Sequence, residues 1–198
     1  MRTPDRKVAL SLMAHPDDAE FLCAGALALL RREGWEIHIA TMSPGDKGSA
    51  THAPEEISAI RRAEGTAATA LLDGTYHCLE SRDLYIAYDQ ESIEKAAALV
   101  RRVQPSIVFT TSPADYMVDH DMASKLAQTA CFACGIKNMA IPEPVFEPVP
   151  WLYYADPVEL VDRFGERVAP GMWVDVSSEI ETKEAMLCCH ESQRAWLL

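Results

Sequence analysis

The sequence predicts a three-layer α/β fold with a mostly parallel sheet, built as a single domain over residues 1–198. Two observations predict it. Short apolar runs of strand length alternate with longer segments of helical character, a pattern that needs crossover connections and so favours parallel strands. Those runs also discharge repeatedly into polar loops, and in open α/β sheets the carboxyl ends of strands are where ligands and catalysts sit.

Taken in order, Val8 to Met13 is an apolar run that stops at His15-Pro16-Asp17-Asp18. Phe21 to Leu30 then reads as one packed helix, with Gly34 as its C-terminal stop. Trp35 to Thr41 is a second strand, ending in a loop with Pro44, Gly45 and Gly48. Pro54-Glu55-Glu56 opens a helix, with proline and acids in its first turn, that runs to about Leu72 before Asp73-Gly74. Tyr76 to Leu79 is a short strand followed by Ser81-Arg82-Asp83, and Gln90 to Val103 a helix stopped by Gln104-Pro105. Ser106 to Thr111 is the most β-like run and leads into the polar stretch 112–121, after which a helix spans about His120 to Cys134. Four prolines within 141–150 mark an extended loop, Trp151–Tyr154 and Trp173–Val176 read as late strands, and Ser177 to Leu187 as a last helix.

Composition narrows the function. A net charge of −12 lacks the clustered cations of a nucleic-acid surface. No apolar run approaches the roughly 20 residues that span a bilayer, and Met1 to Lys7 makes a poor export signal, so the expectation is a cytoplasmic protein. The six cysteines lack a disulfide framework's spacing and read as free thiols, the Cys131/Cys134 pair included. Trp196-Leu197-Leu198 ends the chain within an apolar run; a homo-oligomer interface there or an incomplete C-terminus are the two expectations.

The chemistry concentrates at the first strand's end. His15 and Asp18, three apart across a turn, can converge on one point while Asp17 projects aside. An imidazole and a carboxylate completed by a distant third ligand is a common catalytic Zn²⁺ arrangement. His120, in the polar loop after another strand, is the best third ligand, and Asp17 the base for a water acidified by the metal. The simpler reading of the same string is a turn with a helix-capping Asp. His38 and His77 sit in or near strands and read as structural; Trp151, Tyr153, Tyr154 and Trp173 read as core or interface.

Ala14-His15-Pro16-Asp17-Asp18 with Glu20 and Gly25, Ile60 to Glu64, Arg82-Asp83, Asp119-His120 and Cys189-His190-Glu191-Ser192-Gln193 together resemble the LmbE-like (PIG-L) family of metal-dependent de-N-acetylases, which includes N-acetylglucosaminyl-phosphatidylinositol, mycothiol-pathway and bacillithiol-pathway deacetylases. The resemblance implies a Rossmann-like fold and hydrolysis of an N-acetyl group from a small N-acetylglucosamine-type sugar or glycoside, usually with zinc, with Fe²⁺ or Mn²⁺ as alternatives. Matching positions imply His15, Asp18 and His120 as metal ligands, Asp17 as general base, and Arg61 and Asp83 as holders of sugar hydroxyls. One departure stands out. Met117 occupies the place of the histidine that serves the leaving amine or the oxyanion in relatives, and a thioether can do neither. Three repairs are open, in this order: Asp17 performs both proton transfers, His190 swings into the pocket, or the Tyr116 hydroxyl polarises the carbonyl. The competing class is a non-catalytic sugar- or nucleotide-binding α/β module with a vestigial metal site.

Overall fold

The computed structural model describes residues 6–194; Trp196–Leu198 lie outside them. A five-stranded sheet of order β3-β2-β1-β4-β5 forms the middle layer. Its strands are β1 (Val8–Met13), β2 (Glu36–Thr41), β3 (Thr75–Cys78), β4 (Ile107–Thr110) and β5 (Trp151–Tyr154). The sequence suggests a mostly parallel sheet; all four strand pairs are parallel.

Alternation along β1 explains the layers. Val8, Leu10 and Leu12 face a core shared with α4 (Gln90–Val103) and α5 (Val118–Ala133), where Leu99, Val100 and Leu126 are fully buried. Ala9 and Met13 face the other core, shared with α1 (Asp18–Leu22), α2 (Ala24–Arg32), α3 (Pro54–Ala70) and α6 (Ile180–Cys188), through Leu27, Ala68 and Met186. With both faces covered, β1 is buried at every residue, as a central parallel strand requires.

The helix ends follow local chemistry. Asp89 caps α4 by accepting the Ser92 N–H at 2.8 Å, and Gln104 closes it in the left-handed region at φ 53°. The proline-rich stretch 141–150 carries no regular structure. Buried Arg101 secures its approach by donating to the carbonyls of Cys134, Ile136, Ile141 and Glu143. Among the described residues, no helix is long and apolar enough to cross a membrane.

Three elements differ from expectation. The first helix is two, broken at Cys23, whose φ of −139° leaves the helical region. Trp173–Val176 is not a strand: the segment pairs with no neighbour among the described residues, Trp173 is 77% exposed, and the last helix is preceded by a short 3₁₀ turn at Ser177–Glu179. Trp151, at 58% exposed, is not core either, because β5 is the sheet's edge.

Candidate metal centre and cavity

The strand order reverses between β1 and β4, so the loops leaving these two neighbours diverge and open a crevice above their carboxyl ends. His15, Asp17 and Asp18 enter it from β1. The loop after β4 turns back at the N-terminus of α5, which begins at Val118 and so places Asp119 and His120 in its first turn. The Thr111 hydroxyl donates to the His120 carbonyl at 2.6 Å, pinning that turn to the end of β4.

The two imidazoles converge on Asp18. His120 Nε2 lies 3.3 Å from Asp18 Oδ1, and His15 Nδ1 3.6 Å from Asp18 Oδ2, with all three residues buried. One donor atom from each falls within 4.8 Å of the others. The far nitrogen of each ring is taken by another carboxylate: His120 Nδ1 by Asp115 Oδ1 at 2.9 Å, His15 Nε2 by Asp119 Oδ2 at 3.2 Å. Such anchors fix a ring's tautomer and turn its free lone pair toward a cation. Two imidazole nitrogens and a carboxylate oxygen, each buried and oriented, fit a divalent metal such as Zn²⁺. His15, Asp83 and Asp119 form a second grouping of the same kind, but there Asp119 already accepts the Leu84 N–H at 2.7 Å and Asp83 the Lys47 N–H at 3.3 Å. That side serves His15 as its anchor.

The electrostatics agree with a centre built to hold positive charge. Burial works against a charged His120, yet Asp18 and Asp115 outweigh it and lift the ring to about 10. His15 is likewise raised despite burial, by Asp119, Asp18 and Asp83. Proton or cation, positive charge is drawn to this cluster.

Asp17 stands apart from these donors. It occupies the N-cap position of α1, but its side chain makes no capping bond, so its carboxylate is not spent on the helix. Its backbone sits at φ 105°, a strained conformation for a residue with a Cβ. Arg61 accompanies that turn: one amino group donates to the Pro16 carbonyl at 2.6 Å and to Asp17 Oδ1 at 3.2 Å. Burial raises the Asp17 carboxyl to about 7, with Arg61 opposing the shift. The chain passes close over Arg61 at Gly45 and Gly48, where a Cβ would overlap its guanidinium.

These groups line one cavity of about 330 Å³. His15, Asp17, Asp18, Arg61, Asp83, Tyr116 and His120 all reach it, bringing seven of the eight candidate residues together. Asp83 does so with Oδ1 3.1 Å from His15 Nε2. Tyr116, half-exposed, meets His120 edge-on at 5.3 Å. His190 is the exception: it is 1% exposed, does not line the cavity, and lies 3.5 Å from Glu20, equally buried on α1. Met117 lines the cavity. Asp115, Asp119, Lys47, Leu84 and Gln193 join the site without a role marked for them in the sequence. For Asp115 a signal existed, an acid in the polar loop that holds His120; for Leu84 and Lys47 there was none.

Residues 10–131 match the GlcNAc-PI de-N-acetylase (PIG-L) family. The chain is 27% identical to the 4-oxalmesaconate hydratase of Pseudomonas putida KT2440, over 98% of this chain and 76% of that protein. The crystal structure of GalB, the 4-carboxy-2-hydroxymuconate hydratase of Pseudomonas putida KT2440, superposes with a TM-score of 0.82 at 26% identity, covering 95% of this chain and 80% of that one. The N,N'-diacetylchitobiose deacetylase of Pyrococcus horikoshii shares the fold, with a TM-score of 0.82 at 24% identity over 96% of this chain and 71% of that one.

Proposed function

Because the chain belongs to the PIG-L family, we propose that it is a metal-dependent hydrolase that removes an N-acetyl group from a small N-acetylglucosamine-type sugar or glycoside. The observation that carries this reading is the juxtaposition of the His15–Asp18–His120 donors with an independently held Asp17 carboxylate in one cavity. A divalent cation on those donors, Zn²⁺ by the preference of the set, supplies Lewis acidity toward water and the amide carbonyl. Asp17, with its carboxyl near 7, takes the proton from the attacking water and returns it to the amide nitrogen as the C–N bond breaks, releasing acetate and a free amine. Arg61 holds Asp17 in place through both its backbone turn and its carboxylate. Tyr116 stands beside His120, where its hydroxyl can polarise the carbonyl. Met117 leaves no histidine at its position, and buried His190 would have to leave Glu20 to substitute, so Asp17 carries both transfers.

A second reading has its own support. The likeness to a hydratase covers 98% of the chain, and adding water across a conjugated double bond has no leaving amine to protonate, which Met117 would tolerate. The two part on one experiment. Zn²⁺-loaded protein is incubated with N-acetylglucosamine and its simple glycosides while primary amine is followed, and separately with 4-oxalmesaconate while its absorbance is followed. Amine release that a chelator abolishes is expected; consumption of 4-oxalmesaconate with no amine from any sugar overturns the hydrolase in favour of the hydratase.

A further inference from the structure

We infer that Gln193 is a substrate-binding residue that presents one hydrogen-bond acceptor to the cavity, so that the site selects ligands offering a hydroxyl or amine there over ligands offering a carboxylate. The inference rests on the reading of this cavity as the substrate site. Gln193 lines the cavity and is only 6% exposed. Its amide has one possible orientation. Nε2 lies 3.1 Å from the Gly48 carbonyl, which can only accept, and 2.9 Å from Ser192 Oγ. Ser192 Oγ in turn lies 2.6 Å from Glu64 Oε2, so its single proton goes to that carboxylate and its lone pair receives Gln193. The Ser192 N–H donates to Glu64 Oε1 at 2.8 Å, which closes the arrangement from the backbone.

Both N–H groups of Gln193 are therefore spent, and Oε1 is left with no hydrogen-bond partner among the described residues. Glu64 lies one turn beyond Arg61 on α3, so the relay ties the acceptor to the helix that supports Asp17. The cations nearby do not offer the opposite chemistry. Lys47 Nζ is 3.0 Å from Asp46, the Arg61 amino groups are engaged by Pro16, Gly45 and Asp17, and Arg61 Nε is enclosed by protein. A carboxylate against Gln193 Oε1 would meet a lone pair; a sugar hydroxyl would complete a bond. An unmet buried partner changes affinity on the order of 10-fold to 100-fold. Ser192 and Glu64 act through Gln193 and are positioning residues.

The test is calorimetric titration of the Zn²⁺-loaded protein with N-acetylglucosamine and, separately, with mesaconate as the carboxylate probe. Wild type is expected to bind the sugar more tightly than mesaconate, and Gln193→Met to lose about 10-fold to 100-fold in sugar affinity. In turnover, KM rises more than kcat falls. Ser192→Ala and Glu64→Gln move KM in the same direction at unchanged metal content, and Ser192→Thr, which keeps the hydroxyl, restores it. Should Gln193→Met fail to fold, Gln193→Asn retains the amide but withdraws its oxygen and is expected to show the same KM effect. Unchanged sugar affinity in a folded Gln193 variant, no sugar binding to wild type, or mesaconate bound as tightly as the sugar each overturns the inference. Sugar binding that depends on Gln193 without amine release from any N-acyl substrate leaves it standing and removes the hydrolase reading instead.

Discussion

Two pairs of histidines in this sheet have opposite fates. His38 and His77, on neighbouring strands β2 and β3, stack with centroids 5.2 Å apart and bond each other directly at 2.9 Å, with Glu36 taking the outer nitrogen of His38 at 3.0 Å. His15 and His120, beyond the ends of β1 and β4, have centroids 5.6 Å apart and make no bond to each other; separate carboxylates hold their far nitrogens, and both free nitrogens face Asp18. The first pair satisfies itself, whereas the second is held apart at the edge of a cavity. Burial, with His38 and Arg102 also disfavouring the charged ring, drives His77 down to about 4, while carboxylates drive His120 up to about 10. What separates a site from a structural pair here is the position on the strand and the sign of the neighbours, not the residue type.

The largest break in that comparison comes from Asp17→Asn. The variant keeps the hydrogen-bonding shape beside Arg61 but cannot take a proton, so kcat is expected to fall by about 10²–10⁴ with metal content unchanged. His77→Gln, the corresponding change in the other pair, leaves both untouched. Steady-state kinetics with elemental analysis checks this, and an Asp17→Asn enzyme with near-wild-type kcat removes Asp17 as the base.

A smaller effect separates the anchors. Asp115 fixes the His120 ring, and Asp115→Asn is expected to weaken metal affinity by about 10-fold to 100-fold in competition with a chelator. Glu36→Gln, which loosens the outer nitrogen of His38, leaves metal affinity as it was. If both variants titrate with the chelator like wild type, His120 is not held through Asp115 and its place as a ligand weakens.

The contrast also explains what could be read from the residues in order. His15, Asp17 and Asp18 were legible because a polar cluster interrupts an apolar run at a strand end, and His120 because the same interruption recurs after β4. The alternation of short apolar runs with longer helical segments carried the layers, whereas which face each residue of Val8–Met13 takes does not show in a run that is buried throughout. Other features depend on partners distant in the chain. Asp119 serves His15 from 104 residues away, and Gln193 meets Gly48 from 145 away, so neither role has a local signature. Trp173–Val176 has the composition of a strand, but a strand exists only where a neighbour pairs with it, and among the described residues none does. The break at Cys23 is a single dihedral, invisible in a helical apolar pattern. The place of His190 was likewise out of reach: its burial against Glu20 follows from how α6 returns across α1.

The smallest expected effect lies in the structural pair and concerns stability. His77 is half-buried, and burial, His38 and Arg102 all disfavour its charged form, lowering it from 6.5 to about 4. The unfolded chain therefore binds a proton at this ring at a higher pH than the folded one does. Stability from His77 is complete above about 6.5 and drains away as the pH falls toward about 4, because protons then favour the unfolded state. Discounted for solvent screening of a half-exposed ring, the loss is about 1 kcal/mol, or roughly 2–4 °C in Tm for a chain of this size. Thermal unfolding of wild type and His77→Gln at pH 7.5 and pH 4.5, values placed about one unit above and just inside that window, is expected to show the larger drop for wild type. Equal drops would mean that His77 titrates alike in the folded and unfolded chains, and that the bond to His38 does not keep it neutral.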